Sequence, residues 1–188
     1  MKTEEQIKLE EIPFDGMSLE EAEIRRRAQE LTLKYNQISS NKLAERYEVL
    51  RELLGGVYPD VIIESNFHCD NGKNIFIGKG FFGNFNLTIL DVDKVTIGDN
   101  VFIAPNVQLV TVTHPLSARE RRTWKLISSP IVIGDNVWIG AGVIILPGVT
   151  IGDNSVIGAG SLVTKSIAPN TLAFGSPCRE IRPIPLDE

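Results

Sequence analysis

Only two histidines, His68 and His114, occur in this chain of 188 residues, so chemistry that uses an imidazole has two candidates. His114 is followed by Pro115 and lies at the start of the polar segment THPLSARERRTWKLISSP. An imidazole has a pKa of about 6.5 and can accept a proton at neutral pH. His114 could therefore take the proton from an alcohol that attacks a thioester and return it to the sulfur. The alternative is a histidine that only occupies a loop corner.

A six-residue repeat dominates the second half of the chain. It is clearest in IVIGDNVWIGAGVIILPGVTIGDNSVIGAG, residues 131–160, and we expect a uniform step of six within each unbroken run. The lead positions are Ile77, Gly83, Ile89, Ile97, Ile103, Leu109, Ile133, Ile139, Ile145, Ile151, Ile157 and Val163. A second compact side chain follows four positions later at Val101, Val107, Thr113, Val137, Val143, Val149, Ser155 and Ser161. A helix repeats at about 3.6 residues and a strand at about 2, so short strands joined by tight turns explain this period better. The repeat predicts a solenoid whose inward side chains stack in one column.

The repeat is interrupted once, between Leu109 and Ile133, where the interval is 24 residues instead of six. Polar loops that leave a regular scaffold carry function more often than the scaffold does. His114 lies at the first corner of this insertion, which favours the catalytic interpretation over the loop corner. We predict an inserted loop over residues 114–130.

Before the repeat, the sequence has the pattern of two helices. Ser18 and Glu21 have the spacing of a capping box and predict a helix from about Leu19 to Tyr35. In the next segment, KLAERYEVLRELL, three- and four-residue spacings predict a second helix that ends before Gly55. Its packed face is expected to be Leu43, Tyr47, Leu50 and Leu54.

The composition excludes several classes of protein. A formal net charge of -5 argues against nucleic-acid binding. The N-terminal segment lacks an apolar signal core, and glycine and proline interrupt the most apolar run, residues 137–152, so no membrane segment is expected. Cys69 and Cys178 are expected to be free thiols. We therefore expect a cytoplasmic protein.

Several segments, in order, resemble the hexapeptide-repeat sugar O-acetyltransferases of the galactoside and maltose acetyltransferase branch. They are FHCDNGKNIFIGKGFFGNFNLTILD, IGDNVFIAPNV, THP, IGDNVWIGAGVIILPGVTIGDNSVIGAGSLVTKSI and GSPCREIRPI, and the similarity extends over about residues 14–184. Nodulation-type acetyltransferases are similar relatives within the branch. The resemblance implies a mainly β protein, a left-handed parallel β-helix of about four to five coils. It also implies acetyl-CoA as cosubstrate, no metal, and a homotrimer with active sites between subunits. The expected divisions are a helical segment over residues 1–56, the β-helix over 57–170 and a C-terminal tail over 171–188.

The same resemblance implies roles for individual residues. His114 corresponds to the general base, and Asn84 to an asparagine that contacts both substrates near the reacting centre. The implied acceptor contacts are Asp15, Asp70, Asn84, Asp91, Leu126 and Arg25 or Arg26. The implied donor contacts are Ala104, Trp138, Ala141, Ala159, Thr164, Lys165, Arg179 and Arg182. Small side chains allow pantetheine to lie against the backbone, and Lys and Arg bind phosphates. The galactoside branch has paired acidic residues where this chain has Asp91-Val92, so one acceptor contact is absent.

Four alternative functions make different demands on the sequence. A zinc enzyme like the gamma-class carbonic anhydrases needs three histidines, and this chain has two. Covalent catalysis by Cys69 beside His68 is disfavoured because adjacent strand residues point to opposite faces. A xenobiotic O-acetyltransferase and a non-catalytic trimeric hexapeptide scaffold remain open.

Overall fold

The computed structural model describes residues 19–185. Ser18 and Asp15, which carry the expected helix cap and one expected acceptor contact, lie outside the described residues. Within this range, two helices precede a parallel β-solenoid, as the sequence predicts. None of the helices in the described range is long and apolar enough to cross a membrane.

The helices are α1 (Leu19–Gln37) and α2 (Leu43–Leu53). The residues of α2 that are buried are Arg46, Val49, Leu50 and Leu53. The prediction that Leu43 belongs to the packed face of α2 is therefore wrong, because its side chain is 55% exposed. The helix is rotated so that Arg46, a charged residue that the apolar pattern passes over, faces the interior.

Three parallel sheets form the sides of the solenoid. The strands before the inserted loop are β1 (Ile62–Ile63), β2 (His68–Cys69), β3 (Ile75–Ile77), β4 (Phe82–Gly83), β5 (Thr88–Leu90), β6 (Val95–Ile97), β7 (Phe102–Ile103) and β8 (Gln108–Val110). Those after the loop are β11 (Ile131–Ile133), β12 (Trp138–Ile139), β13 (Ile144–Ile145), β14 (Thr150–Ile151), β15 (Val156–Ile157), β16 (Leu162–Val163), β17 (Thr171–Gly175) and β18 (Cys178–Pro183). The seven-stranded long face has the order β1-β4-β7-β12-β15-β17-β18, the five-stranded middle face β2-β5-β8-β13-β16 and the four-stranded short face β3-β6-β11-β14.

The solenoid has about six turns, slightly more than the four to five expected. The difference arises at both ends. Ile63 and Cys69 begin the stack two lead positions before Ile77, the first expected one, because they pair with Gly83 and Ile89 of the next coil. At the other end, β17 continues the long face beside β15, and β18 folds back antiparallel to β17 within the expected tail.

The expected lead positions form the core, and all twelve are buried. Gly83 is the one without a side chain because Phe81 fills its place: a Cβ there would lie 2.9 Å from the Phe81 ring. The second set of compact residues is also buried, except Thr113. Thr113 is exposed because it has already left the solenoid and entered the inserted loop.

The uniform step of six is wrong at one edge of the solenoid, where the middle face turns into the short face. The step is eight from Cys69 to Ile77 and again from Ile89 to Ile97. The next coil carries the inserted loop at the same edge, between β8 and β11. Three successive coils therefore have enlarged corners stacked on one another. We call this the middle–short edge.

The helices are attached to the first coil by a buried arginine. The Arg46 guanidinium donates hydrogen bonds to the carbonyl oxygens of Ile38 at 2.7 Å and Ile63 at 2.5 Å. It lies 4.1 Å from the centre of the Tyr35 ring, and the Tyr35 hydroxyl also donates to Ile63 O at 2.6 Å. Because Ile63 belongs to β1, these bonds join both helices to the start of the solenoid.

We predict that Arg46→Ala lowers the free energy of unfolding by about 3 kcal/mol, since it removes two charge-assisted hydrogen bonds and the packing of the guanidinium over the Tyr35 ring. Urea denaturation of purified protein measures the change. The matched control is Arg51→Ala on the same helix, where the ion pair with Glu48 is exposed to solvent and is expected to contribute little to stability. Equal effects of the two substitutions would contradict this account of the junction.

Candidate active site

The enlarged corners at the middle–short edge consist of residues 70–74, 91–94 and 111–130. Hydrogen bonds connect each corner to the next. Asn74 O accepts from Val95 N at 2.9 Å, and Asp93 N donates to the Thr111 hydroxyl at 2.9 Å. The same hydroxyl donates to Leu90 O at 2.7 Å. The base of the loop is thus fixed to the corner of the preceding coil.

The loop itself has a defined shape. It contains the antiparallel pair β9 (Val112–Thr113) and β10 (Ile127–Ser128) and the short helix α3 (Ala118–Arg121). The Arg121 guanidinium donates to the carbonyl oxygens of Pro115 at 2.9 Å and Leu116 at 2.5 Å. Pro115 is buried. These contacts hold the chain immediately after His114.

His114 is exposed at the start of the loop, and its Nδ1 lies 3.1 Å from the carbonyl oxygen of Lys125. A carbonyl can only accept, so this bond places the proton on Nδ1. The lone pair of the neutral ring then lies on Nε2. The arrangement suits a general base that works through Nε2. Leu126, an expected pocket residue, follows Lys125 and is half-buried.

Asp70 lies on the first of the three corners along the chain, residues 70–74, and is half-buried. Burial raises the pKa of its carboxyl, while the nearby Arg25 guanidinium opposes the shift. Arg26 forms ion pairs with Glu23 and Glu30 along the exposed side of α1. Of the two expected arginines, Arg25 is therefore the one beside Asp70, whereas Arg26 is paired with two glutamates away from it.

Asp91 is not placed to contact an acceptor, contrary to the expectation, because it is completely buried. Its Oδ1 accepts hydrogen bonds from the backbone N–H groups of Asp70 at 3.0 Å and Asn71 at 2.9 Å. Its Oδ2 is buried and has no hydrogen-bond partner within residues 19–185. Burial raises the pKa of Asp91 to about 6, the N–H of Asn71 opposes this shift, and the charge of Asp70 adds to it.

The two cysteines are free, and Cys69 does not have the character of a nucleophile. Burial raises the pKa of its thiol, and the charges of Asp91 and Asp70 raise it further. A thiol rather than a thiolate is therefore present at neutral pH. In the described part of the chain, no group of histidine, cysteine and carboxylate side chains could hold a metal ion.

Asn84 lies at a different edge, where the long face turns into the middle face. Its Oδ1 accepts from Phe85 N at 2.7 Å. Strand register stacks Asn84 above Ala104, and the next coils continue this column with Gly140 and Gly158. Ala141 and Ala159 follow one position later along the same edge. We call this the long–middle edge.

In its last two coils, the long–middle edge presents backbone rather than side chains, because residues 140–142 and 158–160 are all glycine or alanine. A Cβ on Gly140 would lie 2.5 Å from Ala159 N, so the coils approach too closely for a larger residue. Gly142 and Gly160 have φ angles of 69° and 70° and open space around them. Such φ angles favour glycine. The result is a ridge of small residues along the solenoid.

The remaining expected donor residues are divided between the two edges. Trp138 is 54% exposed on the long face, in register with Phe102 and Val156. Arg179 and Arg182 are exposed on β18 and pair with Phe174 and Leu172 of the long face. Thr164 and Lys165, in contrast, are exposed where the chain leaves β16, at the middle–short edge.

One chain therefore carries two separate groups of expected site residues. The middle–short edge has Arg25, Asp70, Asp91, His114, Leu126, Thr164 and Lys165. The long–middle edge and the adjoining long face have Asn84, Ala104, Trp138, Ala141, Ala159, Arg179 and Arg182. Strand β5 and its flanking turns separate Asn84 from Asp91. The structure does not bring His114 and Asn84 together within one chain.

Three polar residues that support the middle–short edge were not expected from the sequence. They are Thr111, which holds the loop base, and Asn71 and Asn74, whose amides both donate to Asp91 O. The eight-residue steps between lead positions were the signal that could have identified this edge.

Comparison with known proteins gives the same family from sequence and structure. The bacterial transferase hexapeptide profile (six repeats) matches residues 130–165, and the maltose acetyltransferase hexapeptide capping motif matches residues 12–58. Galactoside O-acetyltransferase of Escherichia coli is 46% identical over 162 residues, which cover 86% of this chain and 80% of the relative.

Two solved structures are also similar. A maltose O-acetyltransferase from Clostridium difficile superposes with a TM-score of 0.91 and 46% identity, covering 95% of each chain. A galactoside acetyltransferase in complex with coenzyme A has a TM-score of 0.88 and 47% identity, covering 92% of this chain and 86% of the other. The chain therefore belongs to the hexapeptide-repeat acetyltransferases of the galactoside and maltose O-acetyltransferase type, which are acetyl-CoA-dependent enzymes.

Proposed function

We propose that this protein transfers the acetyl group of acetyl-CoA to a hydroxyl of a sugar or glycoside, with His114 as the general base. The observation that carries the proposal is the bond between His114 Nδ1 and Lys125 O at the base of the loop. It leaves Nε2 of an exposed imidazole available for proton transfer. The relatives named for galactoside and maltose acetylation support a sugar as the acceptor.

In the proposed mechanism both substrates are bound together. Nε2 of His114 takes the proton of the acceptor hydroxyl while its oxygen attacks the acetyl carbonyl carbon. The tetrahedral intermediate collapses, the carbon–sulfur bond breaks, and the imidazolium returns the proton to the departing sulfur. The products are the acetyl ester and coenzyme A. No acyl-enzyme is needed, which agrees with the partly buried, protonated thiol of Cys69.

The negative charge that develops on the carbonyl oxygen needs donors that are already in place. We assign this role to the Asn84 amide and to backbone N–H groups near Ala141. Both lie on the ridge of small residues, where the absence of bulky side chains allows an extended pantetheine to approach the backbone. Arg179 and Arg182 are exposed beside this ridge and would bind the phosphates of the donor.

The acceptor would bind at the middle–short edge. The Asp70 carboxylate can accept hydrogen bonds from two sugar hydroxyls, and Arg25 can donate to a third oxygen. Trp124 is 60% exposed on the loop and offers a flat face for a sugar ring. Leu126 adds an apolar contact close to His114.

The two edges suggest how the enzyme assembles. His114 and Asn84 lie on different edges of one chain, so an active site that uses both must combine edges from two copies. A closed ring of three chains would place a middle–short edge against a long–middle edge three times. Phe102 and Trp138, both more than half exposed on the long face, would be partly covered in such a homotrimer. The two free thiols fit the reducing cytoplasm in which we place the enzyme.

We predict that His114→Ala lowers kcat/KM for acetyl transfer at least about 100-fold, because the attacking hydroxyl loses its base. The assay measures thiol release from acetyl-CoA with glucosides, galactosides, maltose, chitooligosaccharides and a chloramphenicol-like alcohol. His68→Ala is the matched control, since His68 is the other histidine, is also exposed and lies outside the loop. Its kcat/KM is expected to stay close to wild type.

The outcomes separate the possible functions. Turnover with sugars supports the proposal, and turnover only with the chloramphenicol-like alcohol would replace it with xenobiotic acetylation. If the protein folds but does not bind coenzyme A, the enzyme interpretation is wrong and a non-catalytic scaffold is left. Loss of activity in His68→Ala equal to that in His114→Ala would refute the assignment of the base.

A further inference from the structure

We propose that Asp91 is a positioning residue that holds the turn carrying Asp70 in the orientation needed to bind the acceptor. The inference rests on the proposed function, in which Asp70 contacts the acceptor directly. It assigns Asp91 a role one step away from the substrate, in place of the direct contact that the resemblance implied.

The carboxylate of Asp91, on one corner, binds the backbone of the corner of the preceding coil. Asp91 Oδ1 accepts from two consecutive backbone N–H groups, those of Asp70 and Asn71, at 3.0 and 2.9 Å. Two donors from adjacent peptide units determine the direction in which the chain leaves β2. That direction sets where the Asp70 side chain points. The Asp91 side chain thus acts on Asp70 without touching the substrate.

The main chain of Asp91 supports the same turn. Its carbonyl oxygen accepts from the Asn71 amide at 3.1 Å and from the Asn74 amide at 2.8 Å. The turn 70–74 is therefore attached to Asp91 at both ends. Substitution of the Asp91 side chain would remove the two bonds to the backbone of Asp70 and Asn71 and leave the bonds from the two asparagine amides in place.

Burial distinguishes Asp91 from carboxylates that have only a scaffold role. Asp99 and Asp135 each accept a backbone N–H from another coil, at 2.7 Å, but both remain in contact with solvent. Asp91 is completely buried, and its Oδ2 has no partner. An unpaired buried carboxylate oxygen is costly and is rare in proteins. A scaffold role would not require this cost, whereas precise placement of Asp70 gives a reason for it.

The burial of Asp91 also has a measurable consequence for stability. The ionisable groups around it are Cys69 and Asp70, with Arg25 beside Asp70. Because the folded pKa of about 6 is above the usual 3.8, the folded protein binds this proton more tightly than the unfolded chain. The stability due to Asp91 is thus present below the unfolded pKa and is lost as pH rises toward 6.

The unfolding free energy of Asp91→Asn, relative to wild type, is expected to increase between pH 4 and pH 7. A difference independent of pH would show that the carboxyl is not buried in solution.

The kinetic test compares Asp91→Ala, Asp91→Asn and Asp70→Ala with the preferred acceptor of the wild-type enzyme. Asp91→Ala is expected to raise the KM for the acceptor about 10-fold and leave the KM for acetyl-CoA within about 2-fold. Asp91→Asn should restore most of the loss, because an amide oxygen can still accept both N–H groups. In an Asp70→Ala background, Asp91→Ala should have little further effect, as expected for residues that act as a unit. Asp99→Ala is the matched control and should leave the acceptor KM unchanged.

The results distinguish this inference from the function on which it rests. If Asp70→Ala raises the acceptor KM and Asp91→Ala does not, the positioning role is wrong and the acceptor role of Asp70 stands. If Asp70→Ala also has no effect, both assignments are wrong. If Asp91→Ala raises the acceptor KM as much in the Asp70→Ala background as it does alone, the two residues act independently and the positioning role is wrong. Should Asp91→Ala not fold, Asp91→Ser, whose shorter side chain does not reach the turn, makes the same comparison.

Discussion

The parallel hydrogen bonding between successive coils is the constraint on which the rest of this structure depends. Each strand pairs in register with the strand one coil above and one coil below, so equivalent residues of successive coils form columns. The inward columns are aliphatic and form the core, and the corner columns contain glycine, asparagine and aspartate. A ladder of this kind leaves open strand edges at its ends, which need to be covered. Here α1 and α2 lie at the first coil, attached through Arg46, and the β17–β18 hairpin follows the last.

The ladder also allows function to be added at a corner without disturbing the core. The strands on either side of the middle–short edge keep their register although the corners between them are enlarged in three coils. These corners gather Asp70, Asp91, Thr111 and the loop with His114 at one edge. The long–middle edge stays tight, because Gly140 has no room for a side chain. One chain thus has an edge shaped by polar side chains and an edge that offers backbone, and the proposed active site combines the two.

Much of this architecture can be predicted from the sequence, since the period of six depends only on which residues are apolar and small. The solenoid, both helices and the acetyltransferase family are confirmed. The exceptions have physical causes that periodicity does not detect. Arg46 is buried because its guanidinium caps carbonyl groups, and Leu43 is exposed in consequence of the same rotation. Asp91 is inside because it lies two positions after the inward Ile89 and accepts backbone N–H groups of the preceding corner. Arg25 lies beside Asp70, whereas Arg26 is paired with two glutamates of α1. The roles of His114, Asn84 and the donor residues stay predictions.

The central claim is that His114 and Asn84 act together across two chains, and mixed assemblies test it most directly. His114→Ala and Asn84→Ala proteins, inactive alone and carrying different tags, are unfolded together in equal amounts, refolded and purified through both tags. If each site takes His114 from one chain and Asn84 from the next, every mixed three-fold ring contains one intact site of its three and restores roughly a third of wild-type activity. If both residues served a site within one chain, the mixed assemblies would have no more activity than the separate variants, and the account would be wrong.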